Sequence, residues 1–564
     1  MSGTEQVDAD RTTARVRRRR RWVCGALVVM ALLATGVSWV LASPVAGSPD
    51  DEYHLGSIWC PRPVASSGCQ TAVIDGRVEV RVPETIAEGA PCFAFHPEKS
   101  AACRLSMSDR ETTYSARYDD GNYPIGYYRF HHLLIRESVN ESVLIMRMVN
   151  VVIAVALLGA LGVLIPVRMR ESYVLAMCVS WIPMGVYFIA SNNPSSWALT
   201  GVFAYAAGLY ASVRAQGRRR WVLLGLALVG ALLSFTSRGD SSFFIFVASL
   251  AVLIGVRWRR DLLVQTLVAA CASGIGVWIM SHTGQSRALE PAPPPFDMPA
   301  HARLMSNLRT LPEYFAGFYG RRWGAGWFDV PLDGLVTVIA IAVAGAAVFL
   351  GAGMLTWRKL LSALTVVGAL AGVPLLVSMQ QGFVRTFQYQ PRYMLPLLAV
   401  FFLIWLDRPR EGPVLSRSQV ALLVGASVLV HSVAIHELLH RYTHGVRDPD
   451  DDLLFNLNFN PAWWWDLPVS PMTVWRAATV FYFIAIVVGV VLARTGPDRH
   501  GSLLSLRPAV LLTRMRRHAP ADVDTGDGDD AGAPAPVVID AANTASTDDD
   551  ASTDNGGPQP TVRT

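Results

Sequence analysis

Charge is what this sequence has least of. Only 16 % of its 564 residues are Asp, Glu, Lys or Arg, against about 25 % in an average soluble protein. A charge at mid-bilayer costs a few kcal/mol or more, so this deficit suits a membrane bundle and argues against a string of soluble domains. A nucleotide-binding glycine motif is missing, as is any internal repeat, which excludes a phosphate-loop enzyme and a solenoid. The net charge of +5 does not form a nucleic-acid surface, because the arginines sit in short clusters at 17–21, 218–220 and 257–260, between apolar runs. Such clusters mark topology, and no nucleic-acid partner is expected.

Cysteine is also scarce, and the seven residues divide by setting. Cys24, Cys178 and Cys271 lie in apolar segments, where cysteine packs as a small hydrophobe. Cys60, Cys69, Cys92 and Cys103 share one polar loop. An even set in a loop facing an oxidising compartment predicts two disulfides, and three pairings stay open. Free thiols or a four-cysteine metal site are the other readings.

What is abundant is apolar sequence, at 52 %. A spanning helix needs about 20 mostly apolar residues. Runs of this kind fall at 22–41, 143–167, 173–190, 197–213, 221–235, 243–256, 262–280, 335–355, 360–377, 394–406, 420–435 and 474–492. The expectation is an all-α integral membrane protein of about twelve spans. The first run follows a basic stretch like that of a signal peptide, but it is long and its cleavage site weak, so a retained anchor is expected. With the N-terminus inside, every short inner loop carries arginine, including Arg168, Arg214, Arg257, Arg358, Arg408 and Arg494. Shifting the count by one span would put those arginines outside, against the positive-inside rule. The predicted organisation is therefore a basic cytoplasmic N-terminus (1–21), a transmembrane domain (22–495) and a cytoplasmic tail (496–564). The tail is rich in Asp, Ala, Thr, Gly and Pro from about 519 and is expected to be disordered. The setting is the inner (plasma) membrane, with both termini cytoplasmic.

Two long loops then face outward, at about 42–142 and 281–334. The first contains Asp75-Gly76 before Val78-Glu79-Val80-Arg81-Val82, a hairpin signature. With the four cysteines this predicts a small disulfide-stapled loop domain. The same loop opens on Pro49-Asp50-Asp51-Glu52-Tyr53-His54. Clustered carboxylates at a membrane surface suit general-base chemistry or metal binding, with Asp50 the candidate metal ligand. A solvated acidic turn is the simpler explanation. Asn122-Tyr123 and Trp327-Phe328-Asp329 offer either belt anchors or a sugar-stacking platform. Arg385 and Arg392 lie outside against the charge trend, and a guanidinium fits a phosphate or a lipid headgroup.

His436-Glu437-Leu438-Leu439-His440 matches the zinc-protease pattern H-E-x-x-H, and Leu332-Asp333-Gly334 adds a third-ligand motif. Their order is the reverse of that in membrane-embedded zinc proteases, and both fall at outer helix ends. Zinc proteolysis is therefore the weakest functional reading.

The acidic stretch resembles the P-x-D-E-x-x-H motif, with one spacer fewer, of a bacterial family of uncharacterised multi-spanning membrane proteins. The resemblance continues through Asn122-Tyr123-Pro124, Asn193-Pro194, Gly326-Trp327-Phe328-Asp329 and Gln390-Pro391-Arg392-Tyr393, over most of residues 20–495. Ser195 stands where an acid is usual, and Arg238 where a lysine is. In layout the family is similar to glycosyltransferases of the C fold, which use a polyprenyl-phosphate sugar donor. That similarity implies a C-type glycosyltransferase-like bundle transferring a sugar at the outer face to a polysaccharide or lipid acceptor. It implies Asp51 as base, Glu52 and His54 as its supports, and Arg392, Arg238 and Arg385 as phosphate ligands. Tyr393, Asn122, Tyr123, Trp327 and Asp329 would contact substrate, and a divalent metal would be one means of stabilising the leaving phosphate. A glycolipid transporter or flippase, or a non-catalytic assembly protein, are the alternatives.

Overall fold

In lipid every backbone N–H and C=O must be satisfied within the chain, so apolar runs become helices. The computed structural model describes residues 3–293, 298–330, 332, 334–353, 355–408, 414–446 and 455–494. The chain divides into units 1–501 and 502–564. The second unit, with the expected disordered tail, lies outside the described residues, as do Asp333 and Arg410.

Among the described residues, eight helices are long and apolar enough to cross a membrane. They are Arg19–Leu41, Val139–Leu164, Gly217–Ser237, Arg260–Ser281, Leu335–Ala352, Trp357–Gln380, Arg417–Thr443 and Pro471–Arg494. The other four expected spans fall on shorter or more polar helices. Val167–Ser180 is separated from Met184–Ile189 by a turn at Trp181–Pro183, where proline ends the ladder. Gly239–Gly255 and Pro391–Trp405 are short apolar helices. Ser195–Ser212 carries Ser, Thr and Tyr along its length, and all of its residues are buried. Protein rather than lipid surrounds it, so its sequence need not be uniformly apolar.

Small residues set the closest helix approach. A Cβ on Gly201 would lie 2.5 Å from the Gly230 carbonyl oxygen, and one on Gly230 would lie 2.7 Å from that of Gly201. Gly208 meets the Leu223 carbonyl in the same way, at 2.9 Å. Ser195–Ser212 and Gly217–Ser237 thus pack backbone to backbone, which only small residues permit. The outward faces carry large apolar side chains such as Leu232, Phe349 and Leu422.

The two ends of the bundle differ in chemistry. At one end, ion pairs join Glu171 to Arg494 (2.6 Å), Asp407 to Arg214 (2.7 Å) and Asp261 to Arg220 (2.9 Å). At the other, the two long loops meet. Gly284 N–H donates to the Gly121 carbonyl (2.9 Å), and the Trp327 indole donates to the Ala46 carbonyl (2.9 Å). We call this end the loop face.

The first loop folds around a three-stranded antiparallel sheet, Thr71–Ile74, Arg77–Pro83 and Thr112–Ser115. The expected hairpin is present. Asp75 and Gly76 connect the first two strands with φ of 49° and 75°, the pair of positive values that a type I′ turn requires. Both disulfides form between sequence neighbours, Cys60–Cys69 and Cys92–Cys103. Inside the second of these loops the chain closes on Arg441. That fully buried side chain donates to the carbonyls of Phe93, His96 and Lys99 and pairs with Asp329 at 2.6 Å. One guanidinium therefore fastens the disulfide loop, the second long loop and the end of Arg417–Thr443 together.

Substituting Gly201 by Leu should lower the stability of the detergent-purified protein by about 1–3 kcal/mol or more, through overpacking. Gly25, which has nothing near its missing Cβ, should accept Leu with little change. Thermal unfolding of the two variants tests the contrast, and equal shifts would remove the close-packing account.

Candidate functional site

Asp50 is the residue from which the site is built. Its φ of 62° puts it in the left-handed region, which is uncommon for a residue with a side chain. It caps the short helix Asp51–Trp59. The reversal sends consecutive acidic side chains in different directions: Asp51 meets Arg147, Glu52 meets Arg117, and Asp50 meets Arg392 and, at longer range, Arg117.

Asp51 points inward and is fully buried. Its Oδ2 accepts from Arg147 Nη2 at 2.9 Å. Arg147, on Val139–Leu164, also donates to the carbonyls of Ser43 (2.8 Å), Pro44 (2.9 Å) and Val40 (3.3 Å). Burial pushes the Asp51 carboxyl above its usual range, against the pull of Arg147. Asp51, expected as the base, ties the loop to the bundle through Arg147 and keeps its Oδ1 buried without a hydrogen-bond partner among the described residues.

Glu52 is nearly buried and accepts from Arg117 at 2.7 and 3.0 Å. Burial raises its carboxyl as well. Asp50 keeps about a third of its side chain exposed, 36 %. Its Oδ2 meets Arg392 Nη2 at 2.6 Å and its Oδ1 meets Arg117 Nη2 at 3.4 Å. Burial alone would raise Asp50, but the guanidinium groups of Arg392 and Arg117 outweigh it and hold the carboxyl below its usual range. It is the one carboxylate of the three that is both ionised and reachable.

His54 Nδ1 lies 2.9 Å from the Tyr128 hydroxyl, among the rings of Tyr53, Tyr123 and Tyr128. Burial pushes its pKa down to about 3, helped by Arg238 and Arg392, so it is neutral. Tyr53 donates to Asp119, and Asn122 donates to Tyr53 at 3.2 Å. Asp119 in turn receives Arg62 at 2.9 Å. Asn122 and Tyr123 thus belong to the wall of the site.

Arg392 sits above that wall with only 4 % of its side chain exposed. Phe188, Phe328 and Tyr393 surround its guanidinium at 5.1–5.5 Å. Its Nη2 serves Asp50 and Tyr393, while Nε and Nη1 are buried without a partner among the described residues. His54 Nε2, Gln390 Oε1 and both amide atoms of Asn192 are likewise buried and unpartnered. The neighbouring Asn193 donates to the Pro49 carbonyl at 3.2 Å, which places this amide pair beside Asp50. Buried polar groups are ordinarily paired, so this concentration marks a place that a polar ligand or water completes.

Arg238 also enters the cluster, over Tyr393 (4.7 Å) and Tyr123 (5.5 Å), but Asp240 grips it at 2.6 and 2.8 Å. It contributes field rather than a free hydrogen-bonding fork. Three expected contributors lie elsewhere. Arg385 is exposed, over Phe387. Trp327 is spent on Ala46 and packed edge-on to Phe95, so it presents no stacking face. Asp329 is held by Arg441 and by the Trp327 N–H. Phe328, between them, is the ring that reaches Arg392.

A metal does not suit this donor set. Both Asp50 oxygens face guanidinium groups, and among the described residues no three His, Cys, Asp or Glu side chains group to hold an ion. At the H-E-x-x-H segment, His436 is bonded to the Phe455 carbonyl and stacked on that ring.

Two important residues escaped the sequence reading. Arg147 left a signal, since an arginine inside an apolar span needs a buried partner or a polar cavity. Arg117 left none, because a loop arginine is unremarkable until folding sets it against Glu52.

Acid should weaken this site with a known sign. An unfolded His54 takes up a proton below about pH 6.5, whereas the buried one resists to about 3, so the unfolded state binds more protons and stability falls as pH drops. At pH 5 the loss is roughly 2 kcal/mol. His54→Gln should reduce the difference in Tm between pH 7.5 and pH 5, and an unchanged difference would contradict the buried neutral imidazole.

No curated protein and no solved structure matches the chain. The family model described as Predicted membrane protein (DUF2142) matches residues 33–401, the stretch that carries Asp50, His54, Arg238 and Arg392, and the chain belongs to this family.

Proposed function

We propose that the protein is a membrane glycosyltransferase. In this reading twelve passes form a C-type bundle, and the loop face is the outer face. The donor is a sugar on a polyprenyl phosphate, and the acceptor is a hydroxyl of a cell-wall or surface polysaccharide, or of a lipid. The observation that carries the proposal is the pairing of one ionised, part-exposed carboxylate, Asp50, with a desolvated arginine, Arg392, two of whose nitrogens lack partners among the described residues.

The chemistry asks for those two groups. The acceptor oxygen attacks the anomeric carbon, and its proton passes to Asp50. The bond from that carbon to the lipid phosphate oxygen breaks, and the departing phosphate takes the electron pair and the charge. Arg392, shielded from water by three rings, stabilises that charge far better than an exposed cation would. The base is thus Asp50 rather than Asp51, and Phe328 and Tyr393 take the place of Trp327 beside the sugar. Glu52 and Arg117 brace Asp50, and Arg238 adds positive potential. Arg385 and Asp329 have no part in the step.

Transfer of labelled sugar from polyprenyl-phosphate donors, in membranes carrying each variant, tests this. Asp50→Asn should lower transfer by about 10²–10⁴-fold, the usual worth of a general base, while the protein stays folded. Asp51→Asn should lower the yield of folded protein instead, since it leaves Arg147 buried without its counter-ion. Full transfer by Asp50→Asn would remove the assigned base. A folded wild type inert with every donor would shift the reading to a transporter or an assembly protein.

A further inference from the structure

The second long loop contains a helix that no spanning or site role accounts for. Ala300–Ala316 is amphipathic in an unusual sense, because its outward face is the apolar one. Leu304, Met305 and Leu308 are 42 %, 52 % and 42 % exposed. Their spacing, with exposed His301 one turn before and exposed Pro312 one turn on, puts them on one side of the helix. Arg309 is exposed at the edge of that side.

The opposite side is firmly held. Asn307 is buried and its Nδ2 donates to the Phe383 carbonyl at 2.9 Å. Thr386 donates back to the Asn307 carbonyl at 2.8 Å, and Thr386 N–H donates to Thr310 at 3.0 Å. Tyr314 is buried and stacked near Tyr389, and Gly317 lies against Pro391. The helix is therefore docked on 383–391 by its polar side and leaves its apolar side open.

Its depth is set by these same bonds. Asn307 reaches Met379 and Phe383, which bracket the loop-face end of the span Trp357–Gln380. Ala292, shortly before the helix, donates to the Gln380 carbonyl at 2.8 Å. Leu376, one turn short of that end, is half exposed on the lipid-facing surface of the span. Trp278, near the corresponding end of Arg260–Ser281, is also exposed, as interface tryptophans are. These contacts hold the helix at the level of the span ends, where Leu376 and Trp278 are exposed. Exposed Arg385 sits beside it through Thr386, adding a second cation to Arg309.

We infer that Ala300–Ala316 is an interfacial membrane helix. It lies along the loop-face leaflet, with Leu304, Met305 and Leu308 in the acyl boundary and Arg309 and Arg385 at the lipid phosphates. An apolar stripe with cationic edges, at the ends of spanning helices, is the pattern that seats a helix in that layer. Arg385, which the transfer chemistry does not use, then has a partner. The inference stands independently of the glycosyltransferase reading.

Leu308→Cys and, separately, Met305→Cys would be made with Cys24, Cys178 and Cys271 changed to Ser, labelled with an environment-sensitive fluorophore, and reconstituted into phosphatidylethanolamine–phosphatidylglycerol vesicles. Nitroxide lipids labelled at shallow and deep positions, and aqueous iodide, are the quenchers. The expected result is quenching by the shallow nitroxide several-fold above that by the deep one and by iodide. Strong iodide quenching with no lipid quenching would show a solvent-facing helix and overturn the inference. Protection from all three quenchers, together with cross-linking between copies, would place a second copy on this face and overturn it equally.

Discussion

The Asp51–Arg147 pair governs the loop face. Each charge would be untenable alone in so dry a place, and together they are tolerable only because the guanidinium has further donors to spend. Arg147 spends them on the carbonyls of Val40, Ser43 and Pro44, the backbone that leaves the first span. The Pro44 carbonyl also accepts from the Gly47 N–H (3.1 Å), while those of Val40 and Ser43 lie where the helix ends and its carbonyls lose their ladder partners. The pair thereby determines where the chain turns, and the turn determines where Asp50 projects.

The same device recurs across this face. Arg441 pairs with Asp329 and satisfies three carbonyls of the Cys92–Cys103 loop. Arg62 pairs with Asp119 and satisfies the Tyr123 carbonyl at 2.6 Å. Five fixed donors let arginine close an irregular loop on a membrane bundle while staying charged, which the single ammonium of lysine cannot do over so many acceptors. Arg392 departs from the pattern. It has one acidic partner and aromatic walls, with no carbonyl to fill its remaining positions. Among the described residues Arg147 leaves one buried nitrogen, Nε, without a partner, whereas Arg392 leaves two, Nε and Nη1, and it does so beside the carboxylate that remains ionised.

Much of the architecture was legible in the sequence. Apolar runs located most of the helices, although Arg417–Thr443 runs eight residues past its expected end and the run 173–190 is divided between two helices; Asp75-Gly76 located the hairpin, and four loop cysteines announced two disulfides. Among the described residues eight helices are long and apolar enough to span, while Ser195–Ser212 is wrapped by protein and Trp181–Pro183 interrupts another expected run. The acidic motif was visible, but the division of labour within it was not. Asp50 and Asp51 are chemically identical and adjacent, and nothing in their order says which is buried. Trp327 and Asp329 were prominent in the sequence and bond to Ala46 and Arg441, whereas Arg117 was inconspicuous and braces two carboxylates.

What the sequence alone determined were the properties that depend on composition and period: membrane residence, helical class, the position of the loops and the place where charge gathers. Those follow from transfer free energies and local backbone preferences, which act residue by residue. Only the tertiary structure decided which charges neutralise each other, since Arg392 meets Asp50 across 342 positions and Arg147 meets Asp51 across 96. A pairing over such distances is set by how helices pack, and packing is a property of the whole bundle that no local pattern encodes.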